Sequence, residues 1–329
     1  MSKLIPVIYR NMEYPHGIKA NVNEISGNFN KEKLIINSFY SLHTDSASKK
    51  RKFDSKIFNG LVHLKKAQKD GIPQLWYDRN WANDFYNFID CLIGENKAPE
   101  VLEIHPPFIN YPIFDKCRIS TKKFDYREAF KIFLDIFNVF YEKFKEICPE
   151  TIILIENRGS SWAGRFLLSK PSDIEIFADI LKGSGSKLKI VLDYPQIFSA
   201  LYISAYTKEK KELQDKGILI DDDILKSVIL LNNNLENFKK AIGGFHMWGK
   251  QKDENGIWRS HSGNFNTLFS DNANLKKKFL MSVYSTFNDD EARYFVPEVN
   301  SGAADFYSIV TDMVNINNNN KGFIFMSET

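Results

Sequence analysis

Short, nearly continuous apolar runs recur along this chain from end to end. They cover Ile5–Tyr9, Leu34–Tyr40, Gln74–Tyr77, Val101–Ile104, Ile152–Ile155, Ile190–Leu192, Gly244–Met247 and Tyr294–Val296. Runs of this length without polar alternation predict strands covered on both faces. Between them lie stretches with helical periodicity: Phe58–Gln68, Trp81–Leu92, Tyr126–Ile147, Asp173–Lys182, Asp223–Lys240, Leu275–Phe287 and Ser301–Asn315. Tyr126–Ile147 carries the clearest pattern, with Phe130, Phe133, Phe137 and Phe140 on one face and charges on the other. Pro171-Ser172 and Gly183 bracket Asp173–Lys182 as start and stop signals.

Strands alternating with helices predict parallel pairing, and eight such units predict an α/β fold of the (β/α)8 TIM barrel type. The 329 residues suit one such domain, which commonly needs ~250 residues plus insertions. The link from Arg10 to Lys33 shows no regular pattern, so the first unit is expected to be irregular. Gly322–Met326 offers an alternative strand, and Asn317–Asn320 reads as a loop. A Lys- and Glu-rich insertion occupies residues 204–219. No interdomain linker and no internal repeat breaks the chain.

Composition narrows the class. Hydrophobic residues make up 43%, enough for a sizeable core, and the 27 Phe and 14 Tyr read as core material. A net charge of +3 permits a polyanionic partner without demanding one. The clearest basic cluster, Lys49-Lys50-Arg51-Lys52, reads first as a solvated loop and second as a phosphate contact. Three scattered cysteines argue against a disulfide framework and a zinc ribbon. Neither a secretory signal nor a membrane-spanning run is visible, so the expected location is the cytoplasm.

The chemistry lies where the apolar runs stop. In such barrels catalytic groups sit at the C-terminal strand ends. There the chain places His105, Glu156, Asp193, His246 and Glu298, and the loop after the seventh run adds His261. Imidazole and carboxylate together suit zinc, manganese or iron. Any one of these residues alone would read as a loop anchor or a satisfied core histidine. Together they read as ligands, because carboxylates ending buried strands repel one another without a cation between them. His43 is a further candidate ligand or substrate contact.

Read in order, these residues resemble the xylose-isomerase-like TIM barrels, and within them endonuclease IV and its relatives, over roughly residues 100–300. His105-Pro106, Ile155-Glu156-Asn157, Asp193, His246, His261 and Glu298 match that family's series. Gln196 stands where its DxxH motif has the histidine, and Arg259 where its DxH pair has the aspartate. The third-strand region offers Asp78 and no histidine. UV-damage endonucleases share a similar ligand series. The resemblance implies a three-metal site, and the two replaced ligands reduce the expectation to one or two divalent ions.

Two enzymatic readings follow. The first is metal-assisted phosphodiester hydrolysis of DNA or RNA. Glu156 or Glu298 would orient the attacking water, Lys250 and Arg259 would neutralise the phosphate, and Arg158, Gln196, Trp248 and Trp258 would contact substrate. The second is isomerisation or epimerisation of a small sugar or keto acid, for which Glu156, Asp193, His246 and Glu298 suffice. A non-catalytic barrel with a degraded metal site is the third. His105 and His261 are surplus to an epimerase, so hydrolysis leads.

Overall fold

The computed structural model describes residues 3–26, 39–44, 76, 79–94, 97–109, 112–121, 123–159, 166–184, 187–206, 220–256, 258–316 and 322–326. Eight parallel strands among them close into a barrel. In ring order they are β1 (Lys3–Ile8), β2 (Val22–Ser26), β3 (Tyr40–His43), β4 (Val101–Ile104), β5 (Ile152–Glu156), β6 (Leu188–Asp193), β7 (Ile242–Met247) and β10 (Ala292–Pro297). Pairing of Lys3 with Ala292 and Pro6 with Phe295 closes the ring. β8 (Lys250–Lys252) and β9 (Trp258–Ser260) form a separate antiparallel hairpin after β7. β11 (Ile324–Phe325) adds beside the start of β1, so the Gly322–Met326 run does hold a strand, outside the ring.

Around the ring lie α1 (Arg79–Ile93), α2 (Tyr126–Ile147), α3 (Pro171–Ser184), α4 (Tyr194–Tyr206), α5 (Asp222–Leu235), the short α6 (Phe265–Leu268), α7 (Ala273–Thr286) and α8 (Ala303–Val314). Among the described residues no helix is long and apolar enough to cross a membrane. The expected helix Asp223–Lys240 ends earlier, because Glu236–Ala241 tightens into a 3-10 turn before β7.

α2 keeps the expected face. Phe130, Phe133, Phe137, Phe140 and Phe144 are fully buried, and Asp125 caps the first turn by accepting from the Glu128 N–H at 3.0 Å. Trp76 packs edge-on against Phe85, Phe133, Phe137 and Phe140, with ring centroids 5.0, 5.8, 5.6 and 5.6 Å away. Each such buried ring contributes on the order of 1.5–3 kcal/mol.

Two strand expectations are corrected. The second strand is Val22–Ser26, inside the link expected to be irregular, and the third is Tyr40–His43. Of the run Leu34–Tyr40, residues 34–38 lie outside the described residues, Phe39 is exposed coil and Tyr40 opens β3. Of the run Gln74–Tyr77 only Trp76 is among the described residues; it sits in a turn at φ 65, and β3 pairs directly with β4. The reason is physical. Val22–Ser26 and Tyr40–His43 carry Asn23, Glu24, Ser41 and His43 where a search for apolar runs demands aliphatics. The Lys49–Lys52 cluster, the Phe58–Gln68 helix, Asp78, residues 207–219 and Asn317–Asn320 lie outside the described residues.

The barrel interior has two levels. Val101, Leu154 and Val191 cluster, as do Val7, Val22 and Val296, apart from the large core between strands and helices. Side chains two residues apart on a strand share a face. Glu24, Glu103, Glu156, Asp193 and Glu298 therefore stand one layer above Val22, Val101, Leu154, Val191 and Val296, at the C-terminal mouth. An apolar plug underlies an ionisable layer.

Candidate metal centre

β3, β4, β5, β6 and β7 each deliver a polar side chain to the mouth as the strand ends, and Glu298 follows the last residue of β10. His43, Glu103, His105, Glu156, Asp193, His246 and Glu298 are all buried. His105, expected as a ligand, lies with its Nε2 2.8 Å from Glu156 Oε2. His43 joins them: its Nε2 is 3.2 Å from His105 Nε2 and 3.4 Å from Glu156 Oε2. The third strand thus supplies the imidazole that the Asp78 region lacks.

Donor atoms of His43, His105 and Glu156 lie within 4.8 Å of one another, and so do those of Glu156, Asp193, His246 and Glu298. Glu156 belongs to both sets. A third set, Glu24, His43 and Glu298, borrows one residue from each. Glu24 approaches the other nitrogen of His43, with Oε1 3.6 Å from Nδ1. His261 stands at the edge, with Nε2 3.2 Å from Glu298 Oε2. It is held at φ 54, its carbonyl accepts from the Asn300 N–H, and its ring lies 4.3 Å from that of Trp248.

The donor set fits a divalent ion. His246 Nδ1 and Glu103 Oε1 are buried without a hydrogen-bond partner, an arrangement that is costly unless another group satisfies them. The protonation pattern points the same way. Burial raises the Glu24 carboxyl to about 8, and burial with the charges of Glu156 and Glu298 raises Asp193 well above its ordinary range. Burial opposes charge on His43, yet Glu103 and Glu156 lift it to about 10. Likewise Glu103 and Glu298 overcome burial and lift His246 well above its usual value. Burial works against ionised Glu156 and Glu298, but Arg158 and His105 hold the first down and His246 holds the second down. His105 is lowered by burial and by Arg158. These groups shift one another because buried carboxylates and imidazoles crowd one mouth, and a cation would relieve the same crowding.

Neighbouring residues lock the frame. Asn157 clamps the Asp193 backbone, donating to its carbonyl at 3.1 Å and accepting from its N–H at 2.9 Å. Gln196 turns its Oε1 to accept from the Gly159 N–H at 3.0 Å, where a Cβ on Gly159 would collide with it. Trp248 is 1% exposed and donates from Nε1 to Asp193 Oδ2 at 3.0 Å. Arg158 lies 3.7 Å from Glu156. Lys250, largely buried, is pushed down to about 8 by burial alone. Arg259 is exposed on the hairpin and paired with Asp253 at 2.8 Å. Trp258 sits on the same hairpin, with Lys252 over its ring at 5.4 Å.

Two site residues escaped the sequence reading. Glu24 lies on a strand that was not foreseen, and Glu103 lies inside one that was. The missed signal is the spacing itself. Val22-x-Glu24, Val101-x-Glu103, Leu154-x-Glu156, Val191-x-Asp193 and Val296-x-Glu298 repeat one two-layer motif.

No protein-family model and no curated protein matches the chain. Among solved structures it is similar to that of AsfvAP:AG, at 12% identity over 83% of this chain and 82% of that one, with TM-score 0.40. It is also similar to a probable 3-DHS dehydratase, AsbF, of Bacillus anthracis, involved in petrobactin synthesis, at 11% identity over 82% and 96%, TM-score 0.31. Cel5A of Thermotoga maritima, solved with cellobiose, matches at 12% identity over 86% and 90%, TM-score 0.38. None of these likenesses carries an activity over to this chain.

Proposed function

We propose that this barrel is a cytoplasmic metal-dependent hydrolase that cleaves phosphodiester bonds in DNA or RNA. The observation that carries the reading is Glu156, one carboxylate common to two adjoining donor sets. A shared carboxylate is the arrangement that suits paired ions, and paired ions suit in-line displacement at phosphorus. His43, His105 and Glu156 would hold one ion, and Glu156, Asp193, His246 and Glu298 the other. Zinc, manganese and iron all accept this donor chemistry. Such ions supply Lewis acidity and lower the pKa of bound water.

The chain's own residues do the rest. Glu298, tied to His261 and His246, orients the attacking water. Arg158 and Lys250 balance phosphate charge beside the mouth, with Arg259 reaching substrate from the hairpin. Gln196 fixes the loop that carries Arg158. Trp258 is the aromatic contact for a base, while Trp248 holds Asp193 in place.

A second reading keeps one observation of its own. Glu156, Asp193, His246 and Glu298 form a complete one-ion set, which serves isomerisation of a small sugar or keto acid equally well. Purified protein, expressed with metal supplementation, is to be incubated with labelled abasic, ultraviolet-damaged and single-stranded DNA and with a panel of ketoses. Metal-dependent cleavage supports hydrolysis. No cleavage together with ketose conversion replaces it with the isomerase, and absence of tightly bound metal sinks both.

A further inference from the structure

Glu103 lies in the middle of β4, 2% exposed, and none of the three donor sets includes it. Its two oxygens nevertheless reach one imidazole of each set. Oε2 is 3.2 Å from His246 Nε2, and Oε1 is 3.3 Å from His43 Nε2. On the far side of the same ring, His246 Nδ1 is buried, has no hydrogen-bond partner and lies 3.5 Å from Glu298 Oε2.

A neutral imidazole has one N–H and one lone pair. A carboxylate against Nε2 favours the proton there, because an ionised oxygen accepts and cannot donate. Two carboxylates flank the ring, and Glu103 at 3.2 Å from Nε2 lies closer than Glu298 at 3.5 Å from the unbonded Nδ1, so in the neutral ring the lone pair falls on Nδ1, the nitrogen on the Glu298 side. We infer that Glu103 is a positioning residue for the metal centre: it holds the N–H of His246 on Nε2 and leaves Nδ1 as the donor nitrogen. The inference rests on the metal reading of the site, and it is independent of whether the substrate is a nucleic acid or a sugar. It also explains why a carboxylate is buried in mid-strand, where an aliphatic residue would pack without desolvation cost. Without Glu103 the ring can take either tautomer, and in one of them Nδ1 carries a proton and cannot bind a metal.

The test reads the nitrogen directly. Protein labelled with 15N-histidine and loaded with zinc is examined by long-range 1H–15N correlation, with His246 assigned by difference from His246→Gln. The expected result is Nε2 protonated and Nδ1 metal-bound. Chelator competition then gives zinc affinity for Glu103→Leu and Glu103→Gln. Glu103→Leu should weaken binding by about 10–100-fold. Glu103→Gln, whose amide oxygen still accepts from Nε2–H, should lose less.

His246 protonated on Nδ1 in the zinc-loaded wild type overturns the inference, and so does wild-type zinc affinity in a folded Glu103→Leu variant. If Glu103→Leu fails to fold, the wild-type tautomer and the Glu103→Gln affinity decide the question. A wild type that binds zinc with the expected tautomer but cleaves no nucleic acid removes the proposed function and leaves this inference standing.

Discussion

Glu156 carries more of the site than any other side chain. It meets His105 at 2.8 Å and His43 at 3.4 Å, and its carboxylate faces Asp193, His246 and Glu298 as well. Lys250 makes a second residue-scale case. Burial pushes its ammonium down to about 8, so its charge is full below pH 7 and lost as pH rises through 8. An ordinary lysine would keep its charge to above ~10. If Lys250 neutralises phosphate, KM for a nucleic-acid substrate rises between pH 7 and 9. Lys250→Arg, always charged, flattens that profile. A wild-type KM profile that already stays flat over this range removes Lys250 from substrate binding.

At the scale of elements, loops and helices hold the candidate ligands in place. Trp76 bridges the helical layer and the site, because its Nε1 donates to the His105 carbonyl at 3.1 Å while its ring is packed among four Phe rings. Trp76→Ala should cost about 3–5 kcal/mol in denaturant unfolding. Trp76→Phe should cost less yet still weaken metal binding through His105. Gly249 does the same for His261. Its N–H and carbonyl pair with Gly263 and Ser262, and a Cβ there would press on the Asn264 and Gly263 backbone. Gly249→Ala should therefore shift His261 and lower cleavage, while an isomerase using the four-residue set would keep its rate.

The same scale explains what the sequence made legible. Aliphatic strands such as Ile152–Glu156 and Leu188–Asp193 announce themselves, and so do the ionisable residues that end them. β2 and β3 do not, because their polar residues are the ones that reach the mouth. His43 was visible only as a candidate, and Glu24 and Glu103 were not visible at all. A scan for apolar runs treats a buried carboxylate as a break, whereas the two-residue spacing from Val22, Val101 and Val191 marks it as the next layer up. Trp248 was legible as an aromatic near the site, but its burial against Asp193 depends on the fold of the loop after β7.

For the whole molecule, the ionisable mouth sits on an apolar plug inside a closed ring, so five buried carboxylates have little solvent to share. Binding of a cation to the folded barrel stabilises it by mass action, by about 2.7 kcal/mol at a hundredfold excess over Kd. Chelation should accordingly lower the thermal midpoint. Affinity should also depend on pH. His43 titrates at about 10 and His246 is raised too, so both carry protons at neutral pH that a metal must displace. Metal affinity then rises with pH between 6 and 8, by about tenfold per unit for each proton displaced. Calorimetric titration at several pH values reads both the slope and the protons released.

The central claim is that two donor sets meet on Glu156, and metal stoichiometry tests it most directly. Elemental analysis of wild type, His105→Ala, Asp193→Asn and Glu156→Ala, each with its fold checked by circular dichroism, gives the answer. Two donor sets meeting on Glu156 require about two ions per chain in the wild type, about one in each of the first two variants and close to none in Glu156→Ala. One ion per chain in the wild type, unaffected by His105→Ala, would contradict it.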